Sequence, residues 1–363
     1  MSAPAVERPR SRSFHALRVA AVTPLTDDSA AITFEVPEEL RGHLAFDAGQ
    51  SLTVRRTVDG VEQRRSYSVC APVGAAPRIG VREIPGGVVS SWLVREVRAG
   101  DEVEVQLAPG GFRAVPEVVA AGGRHLCVAA GSGITPVLSI AATLLEHPDA
   151  QVTLLYGNRT TGSVMFAEEV ADLKNAHASR LQVVHVLSRE PRDVELLSGR
   201  LDAQRLDRIL TDLAPVDDLD HAWLCGPHQM VQDARDVLAR HGLGADRVHA
   251  ELFFVDEPPP DLVRERVVPS GATTEATVVL DGLSSTSTVA RDKPLLDSAQ
   301  ETRADLPFAC RGGVCGTCRA LVRDGEVEMA RNYALEDAEV EAGFVLTCQS
   351  RPLTDSVTID FDA

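Results

Sequence analysis

No run of apolar residues in this chain approaches the ~18 that a membrane-spanning helix requires, so the sequence implies no membrane partner. Positive charge is scarce as well. Thirty-six Lys plus Arg stand against 53 Asp plus Glu, and the formal net charge of −17 argues against nucleic acid, which rewards basic faces. Residues 1–13 carry Arg8, Arg10 and Arg12 with no apolar stretch behind them, which excludes a secretory signal and predicts a disordered tail. Cys70, Cys127 and Cys225 are scattered singly and suggest no disulfide framework. Internal repeats are absent. What remains is a 363-residue chain, 44% hydrophobic, with material for two or three domains, and the cytoplasm is the expected compartment.

The other four cysteines are arranged. Cys310, Cys315 and Cys318 read C-x4-C-x2-C, and Cys348 follows after a gap, the plant-type spacing for a [2Fe–2S] cluster. Gly312 and Gly313 lie in the intervening loop, where the backbone must curl around inorganic sulfide. Zinc or disulfides are the bland alternatives, but no second C-x2-C knuckle and no His-x3–5-His follows. From residue 271 to 363 there are 16 Asp plus Glu against 8 Lys plus Arg, a balance of −8. Simple solubility and a docking surface for a basic partner explain that asymmetry equally well.

Hydrophobic patterning divides the chain. Residues 14–116 show short alternating segments punctuated by Pro, Gly and Asp, and a single helix-like stretch from Val88 to Val97, which predicts a small antiparallel Greek-key β-barrel. Across 117–254, apolar strands alternate with amphipathic helices as in a doubly wound parallel α/β domain. Residues 255–270 contain Pro258-Pro259-Pro260 and read as a semi-rigid linker. Residues 271–363 read as an α+β unit wrapped around the cysteines.

In the barrel, Arg65-Ser66-Tyr67-Ser68 is a strand whose period of two turns Arg65 and Tyr67 to one face. The guanidinium suits a pyrophosphate, the phenol ring a flavin, and Ser68 offers a hydroxyl. A plain strand matches the motif too. Gly86-Gly87 opens the helix, whose N–H groups can face phosphate, and Ser90 is either part of that site or a capping residue. Together these predict a flavin dinucleotide. In the α/β domain, a strand runs into Gly131-Ser132-Gly133-Ile134-Thr135-Pro136, which lacks the last glycine of G-x-G-x-x-G. Tyr156-Gly157-Asn158-Arg159 and Cys225-Gly226-Pro227 end two further strands, and strand carboxyl ends are where open α/β sheets bind ligands. Cys225 reads as a packed thiol, since no His and carboxylate partner for it is visible. Ser188 and Arg189, assisted by Arg159, favour the 2′-phosphate of NADPH over NADH.

Arg65 to Ser68, Gly131 to Pro136 and Cys225 to Pro227 together resemble the ferredoxin–NADP reductase superfamily with a plant-type ferredoxin domain fused behind, over Phe14 to Asp362. Within it, Tyr156 to Thr160, Asn332 to Glu336 and Val345 to Gln349 look like segments of the reductase subunits of phenylacetyl-CoA 1,2-epoxidase complexes. The resemblance implies a β-grasp fold for the last domain. It implies FAD held by Arg65, Tyr67 and Ser68 with its phosphates near Gly87 and Ser90. The dinucleotide would lie at Gly131, Gly133, Thr135 and Pro136 with Cys225 and Gly226 beside it, and Phe253 or Phe254 would shield the flavin ring. It further implies a di-iron oxygenase subunit as partner in aerobic phenylacetate catabolism. No catalytic residue is assigned beyond those that bind cofactors. Two rivals stay open: a reductase for another aromatic-ring oxygenase, and a non-catalytic redox-sensing or electron-storage module.

Overall fold

The computed structural model describes residues 13–108, 110–213, 218–254, 271–335 and 337–363. The expected tail before residue 13 and the expected linker, 255–270, lie outside them. The chain separates into two units, Met1–Phe254 and Val255–Ala363.

The first unit begins with strands β1 (His15–Thr26), β2 (Ser29–Glu35), β3 (Ser51–Val58), β4 (Val61–Ser68), β5 (Arg78–Arg82), helix α1 (Val88–Arg95) and strand β6 (Glu102–Leu107). They form an antiparallel sheet in the order β4-β3-β6-β1-β2-β5. A bridge between Val69 and Ile79 brings its two edges together, which makes the sheet a barrel. The alternation seen in the sequence explains the packing. Leu17 and Val19 of β1 point inward while Ala16 and Arg18 face outward, and Ile32, Phe34, Leu52, Val54 and Val105 complete the core. Each such buried side chain contributes about 2 kcal/mol.

After α2 (Pro116–Ala121) come β7 (Gly123–Ala130), α3 (Ile134–Leu145), β8 (Ala150–Asn158), α4 (Ala167–Ala176), β9 (Leu181–Leu187), α5 (Ala203–Asp212), β10 (His221–Pro227), α6 (His228–Arg240) and β11 (Val248–Phe254). The strands pair in parallel in the order β11-β10-β7-β8-β9, so the order reverses at β7. Every residue from His125 to Ala129 is buried, as a central parallel strand covered on both faces requires. Helix α5 shows how the sequence sets one helix. Asp202 caps it by accepting from the Arg205 N–H, and Leu206, Ile209 and Leu210 supply the buried stripe. The apolar pattern predicts a helix over 165–176, whereas α4 starts at Ala167, because Phe166 sits in the left-handed region at φ 57° and Met165 and Phe166 turn into the core. At the amino ends of the strands, His125, His221 and His249 surround Trp223, and burial keeps all three imidazoles below their usual pKa, His249 at about 4.

Barrel and parallel sheet meet through small residues and paired polar groups. The missing side chain of Gly80 leaves room for Thr135 and Phe166. Ser139 Oγ donates to the Ala71 carbonyl at 2.6 Å, and Arg78 pairs with Glu169.

The second unit contains β12 (Thr273–Leu280), β13 (Leu283–Ala290), α7 (Leu295–Gln300), β14 (Arg319–Asp324), β15 (Val327–Met329), α8 (Asp337–Glu341), β16 (Phe344–Leu346), β17 (Ser350–Pro352) and β18 (Ser356–Asp360). The main sheet runs β13-β12-β18-β14-β16, with the first and last strands, β12 and β18, paired in parallel at its centre. Helix α7 buries Leu295, Leu296 and Ala299 against that sheet. The sequence pattern predicts a strand over 344–348, whereas β16 stops at Leu346, where the chain leaves the ladder and runs on to Cys348. No described helix is long and apolar enough to cross a membrane.

Candidate cofactor sites

Cys310, Cys315 and Cys318 lie on the loop between α7 and β14, and Cys348 follows β16. The loop is tightly wound. Arg311 takes φ 53°, and Gly313 and Gly316 take 79° and 66°. A side chain on Gly313 would press against Gln349 and the Arg331 carbonyl. Two clamps hold Cys348 to this loop. Thr347 N and Oγ1 both donate to the Cys318 carbonyl, at 3.1 and 3.0 Å. The Gln349 amide donates to the Arg311 carbonyl at 2.8 Å and lies 3.6 Å from Cys348 Sγ.

None of the cysteines is in a disulfide. The four thiols associate two by two: Cys310 with Cys315, and Cys318 with Cys348. Within each pair the shared hydrogen bond lowers one thiol, Cys310 to about 5, and raises its mate. Among the described residues no three His, Cys, Asp or Glu side chains converge on a single ion position. Four thiols, three from one tight loop and one from a returning strand end, suit a [2Fe–2S] cluster, and the sequence has no second C-x2-C knuckle or His-x3–5-His to complete a zinc site. Backbone N–H groups assist, as where Gly312 N reaches Cys310 Sγ at 3.3 Å.

In the first unit the carboxyl ends of β7, β8, β9, β10 and β11 lie along one edge of the parallel sheet, the edge at which open α/β sheets bind ligands. Gly131 turns the chain at φ 56°, and Gly133 packs so closely on the Cys225 carbonyl that any side chain there would collide with it. That contact brings the turn onto the end of β10. Thr135 is buried, with Oγ1 donating to the Ser132 carbonyl at 3.0 Å, and Pro136 is buried in α3, so both shape the turn from inside. Gly226 lies against Ala130 and Met230. Arg159, Ser188 and Arg189 are exposed and adjacent, the Arg189 N–H donating to the Arg159 carbonyl at 2.8 Å. Glu190, their acidic neighbour, is turned away: its carboxylate accepts from Thr161 N and Oγ1, both at 2.7 Å.

The barrel contributes Ser68, buried at the end of β4, whose Oγ donates to Glu251 Oε2 at 3.3 Å. Tyr67 is half-buried, and burial raises its phenol well above the ordinary value, while Arg65 is exposed beside it. The resemblance sets Glu251-Leu252-Phe253 near the flavin ring but gives Glu251 no role of its own. Register explains its place, because β11 pairs Glu251 with Cys225 of β10. Desolvation holds the Glu251 carboxyl up to about 8, partly offset by Ser68, and burial together with that neighbouring carboxylate holds the fully buried Cys225 thiol well above its ordinary value. The signal in the sequence was a lone carboxylate within His249-Ala250-Glu251-Leu252-Phe253. Phe253 is partly buried against the core that lines this end of the sheet. Gly87 caps α1 with its backbone. The Ser90 hydroxyl accepts from Ile84 N at 3.1 Å and lies 3.4 Å from the Gly87 carbonyl, which fixes the glycine loop.

The fold therefore gathers Ser68, Gly133, Cys225, Gly226 and Glu251 at one place and Arg159, Ser188 and Arg189 at another on the same sheet edge. The cysteines form a separate site in the second unit.

Comparison with known proteins identifies three domain families along the chain. An oxidoreductase FAD-binding domain family matches residues 16–113, an oxidoreductase NAD-binding domain family residues 127–236, and a 2Fe-2S iron-sulfur cluster binding domain family residues 278–353. One of the subunits of 1,2-phenylacetyl-CoA epoxidase from Escherichia coli (strain K12) is 41% identical, covering 97% of this chain and 98% of its own. The ferredoxin reductase component of 3-ketosteroid-9-alpha-monooxygenase from Rhodococcus rhodochrous is 35% identical, over 98% and 99%. The solved structure of phthalate dioxygenase reductase shares the fold, with a TM-score of 0.58 at 21% identity over 96% of this chain and 98% of that one. The chain is an oxidoreductase of the ferredoxin–NADP reductase superfamily, in the branch that joins FAD-binding, NAD-binding and 2Fe-2S domains in one polypeptide.

Proposed function

We propose that this chain is the reductase component of an oxygenase that epoxidises phenylacetyl-CoA, carrying electrons from NADPH through FAD and a [2Fe–2S] cluster to a di-iron oxygenase subunit in the cytoplasm. The observation that supports this substrate is the 41% identity to the phenylacetyl-CoA epoxidase subunit along nearly the whole of both chains, against 35% for the ketosteroid monooxygenase component. Oxygen activation is assigned to the partner, because the sequence has no Glu-x-x-His pair for a di-iron centre. The proposed domain limits are barrel 14–116, nucleotide domain 117–254 and cluster domain 271–363.

A flavin, when bound, accepts a hydride and releases electrons singly, which reconciles a two-electron donor with a one-electron cluster. The residues supply position and exclude water. Arg65 and Tyr67 would hold the flavin, with Gly87 and Ser90 shaping the loop for its phosphates. The turn at Gly131 and Gly133 presents N–H groups to the pyrophosphate of the dinucleotide. Ser68 and Glu251 meet beside Cys225, where the raised carboxyl keeps a proton at neutral pH and so leaves the sheet edge without a buried negative charge.

The coenzyme choice rests on charge. Arg159 and Arg189 lie free of ion pairs among the described residues, and Glu190 is engaged with Thr161, so the strand ends offer cations and no carboxylate to the adenosine ribose. The direct test combines the purified chain with phenylacetyl-CoA epoxidase oxygenase subunits, NADPH and phenylacetyl-CoA. Coupled NADPH consumption and epoxide formation are expected. Turnover only with a ketosteroid oxygenase, or oxygenation by this chain unaided, would overturn the proposal.

A further inference from the structure

The amino ends of β7, β10 and β11, opposite the edge that gathers the cofactor residues, bring three imidazoles onto one face of the parallel sheet. Register sets His221 beside His125 and His249 beside Trp223, and His221 and Trp223, two residues apart on β10, share that face. The His125 and His221 rings stack with centroids 5.8 Å apart, those of His221 and His249 lie 5.3 Å apart, and His249 stacks on the fully buried Trp223 at 4.2 Å.

Their hydrogen bonds leave little room for added protons. The Gly122 carbonyl can only accept, so His125 Nε2, at 3.0 Å from it, carries a hydrogen. His125 Nδ1 is then the bare nitrogen that faces the Trp223 N–H at 3.5 Å. His221 Nδ1 and His249 Nε2 lie 3.2 Å apart and share one hydrogen. Protonating His125, or both members of the pair, would set N–H against N–H. The cluster therefore accepts one added proton at most, on an outer nitrogen of the pair. Surrounding charges do not relieve this. Asp220 and Asp246 favour protonation and Arg247 opposes it, yet burial outweighs them and holds all three rings below their usual range. Asp220 accepts from Arg124 N at 2.8 Å, the Arg124 side chain pairs with Asp218, and His147 lies beside Gly122. Among the described residues no carboxylate hydrogen-bonds to any of the three rings.

Strand β11 is an edge strand, next to β10, and two residues beyond His249 it carries Glu251 to Ser68. We propose that the three histidines form an acid-sensitive latch: the neutral cluster holds the amino end of β11 to the sheet, and protonation in mild acid releases that strand, and Glu251 with it, ahead of the rest of the fold. An imidazole in the opened strand regains its ordinary value of 6.5, whereas in the fold His249 stays neutral down to about 4. The latch is therefore at full strength above pH 6.5 and weakens as pH falls toward 4. Glu251 acts in the opposite direction, so the test compares two chains that both carry it. Hydrogen–deuterium exchange is measured on the full-length, FAD- and cluster-loaded parent and on His249→Phe, which keeps a ring against Trp223 and cannot titrate. Between pH 7.5 and 5.5, protection factors of the β11 amides should fall about tenfold further in the parent, because an opened histidine takes up one proton over that range. Protection within 271–363 should follow the same course in both chains. If phenylalanine prevents folding, His249→Gln carries the comparison. Parallel pH profiles for parent and variant, or loss of protection that reaches β8 and β9 as early as β11, would overturn the inference.

Discussion

The cysteine loop and the nucleotide edge of the parallel sheet are built in opposite ways. The loop takes three of its four functional side chains from nine consecutive residues, 310 to 318, and strained or glycine backbone does the rest. The sheet edge takes one or two residues from each of five strand ends and one barrel strand, so its composition is a consequence of register. A site written locally survives in the sequence as spacing. A site assembled from strand ends survives only as scattered short motifs, and the work of each residue is decided by what the fold puts next to it.

This contrast has measurable consequences, the largest at the sheet edge. Gly133→Ala places a methyl group against the Cys225 carbonyl, and because backbone meets backbone there the strand end must move. A loss of about 3 kcal/mol in stability is expected, with dinucleotide binding abolished and cluster spectra unchanged, checked by denaturant unfolding and titration. Retained binding would mean that the turn does not depend on this close approach.

A smaller effect follows from Glu251. Its carboxyl has a folded pKa of about 8, above the unfolded value of 4.5, so the folded state holds a proton that the unfolded state has lost between those values. Stability from this group is therefore full below pH 4.5 and declines as pH rises to about 8. Glu251→Gln should remove that decline, so the stability of the variant relative to the parent rises across pH 4.5–8. Parallel pH profiles from thermal or denaturant melts would contradict the burial argument.

The smallest effect belongs to the loop. Gln349→Leu deletes the amide that ties Cys348 to the Arg311 carbonyl and approaches the Cys348 sulfur. Fewer N–H groups at a ligand sulfur disfavour the reduced, more negative cluster. The midpoint potential in an EPR-monitored titration should shift modestly downward, with flavin absorbance unaltered. No shift would restrict Gln349 to holding the loop.

The fold was largely legible because its signals were periodic. Alternation marked the barrel strands, and α5 could be read from its cap and its Leu206, Ile209, Leu210 stripe. Short pieces were not legible: β15, β17 and α8 are three to five residues long, too short for a period to develop. At the sites, spacing pointed to the four cysteines, but it could not reveal that they associate as two pairs. Thr135 and Ser90 carry hydroxyls that sequence alone offers to a ligand, whereas the fold engages them with Ser132 and with Ile84 and Gly87. Glu251 went the other way. It is an ordinary polar residue in a strand until β11 meets β10 and its burial becomes visible.

The central claim is that electrons reach the outlet through the cluster and not from the flavin alone. Cys315→Ser removes one sulfur of the Cys310 pair while leaving the first unit untouched. With NADPH as donor, cytochrome c reduction should be lost while ferricyanide reduction, which flavin can serve directly, persists at the parental rate. Equal loss of both activities with flavin still bound, or cytochrome c reduction that survives, would contradict the account.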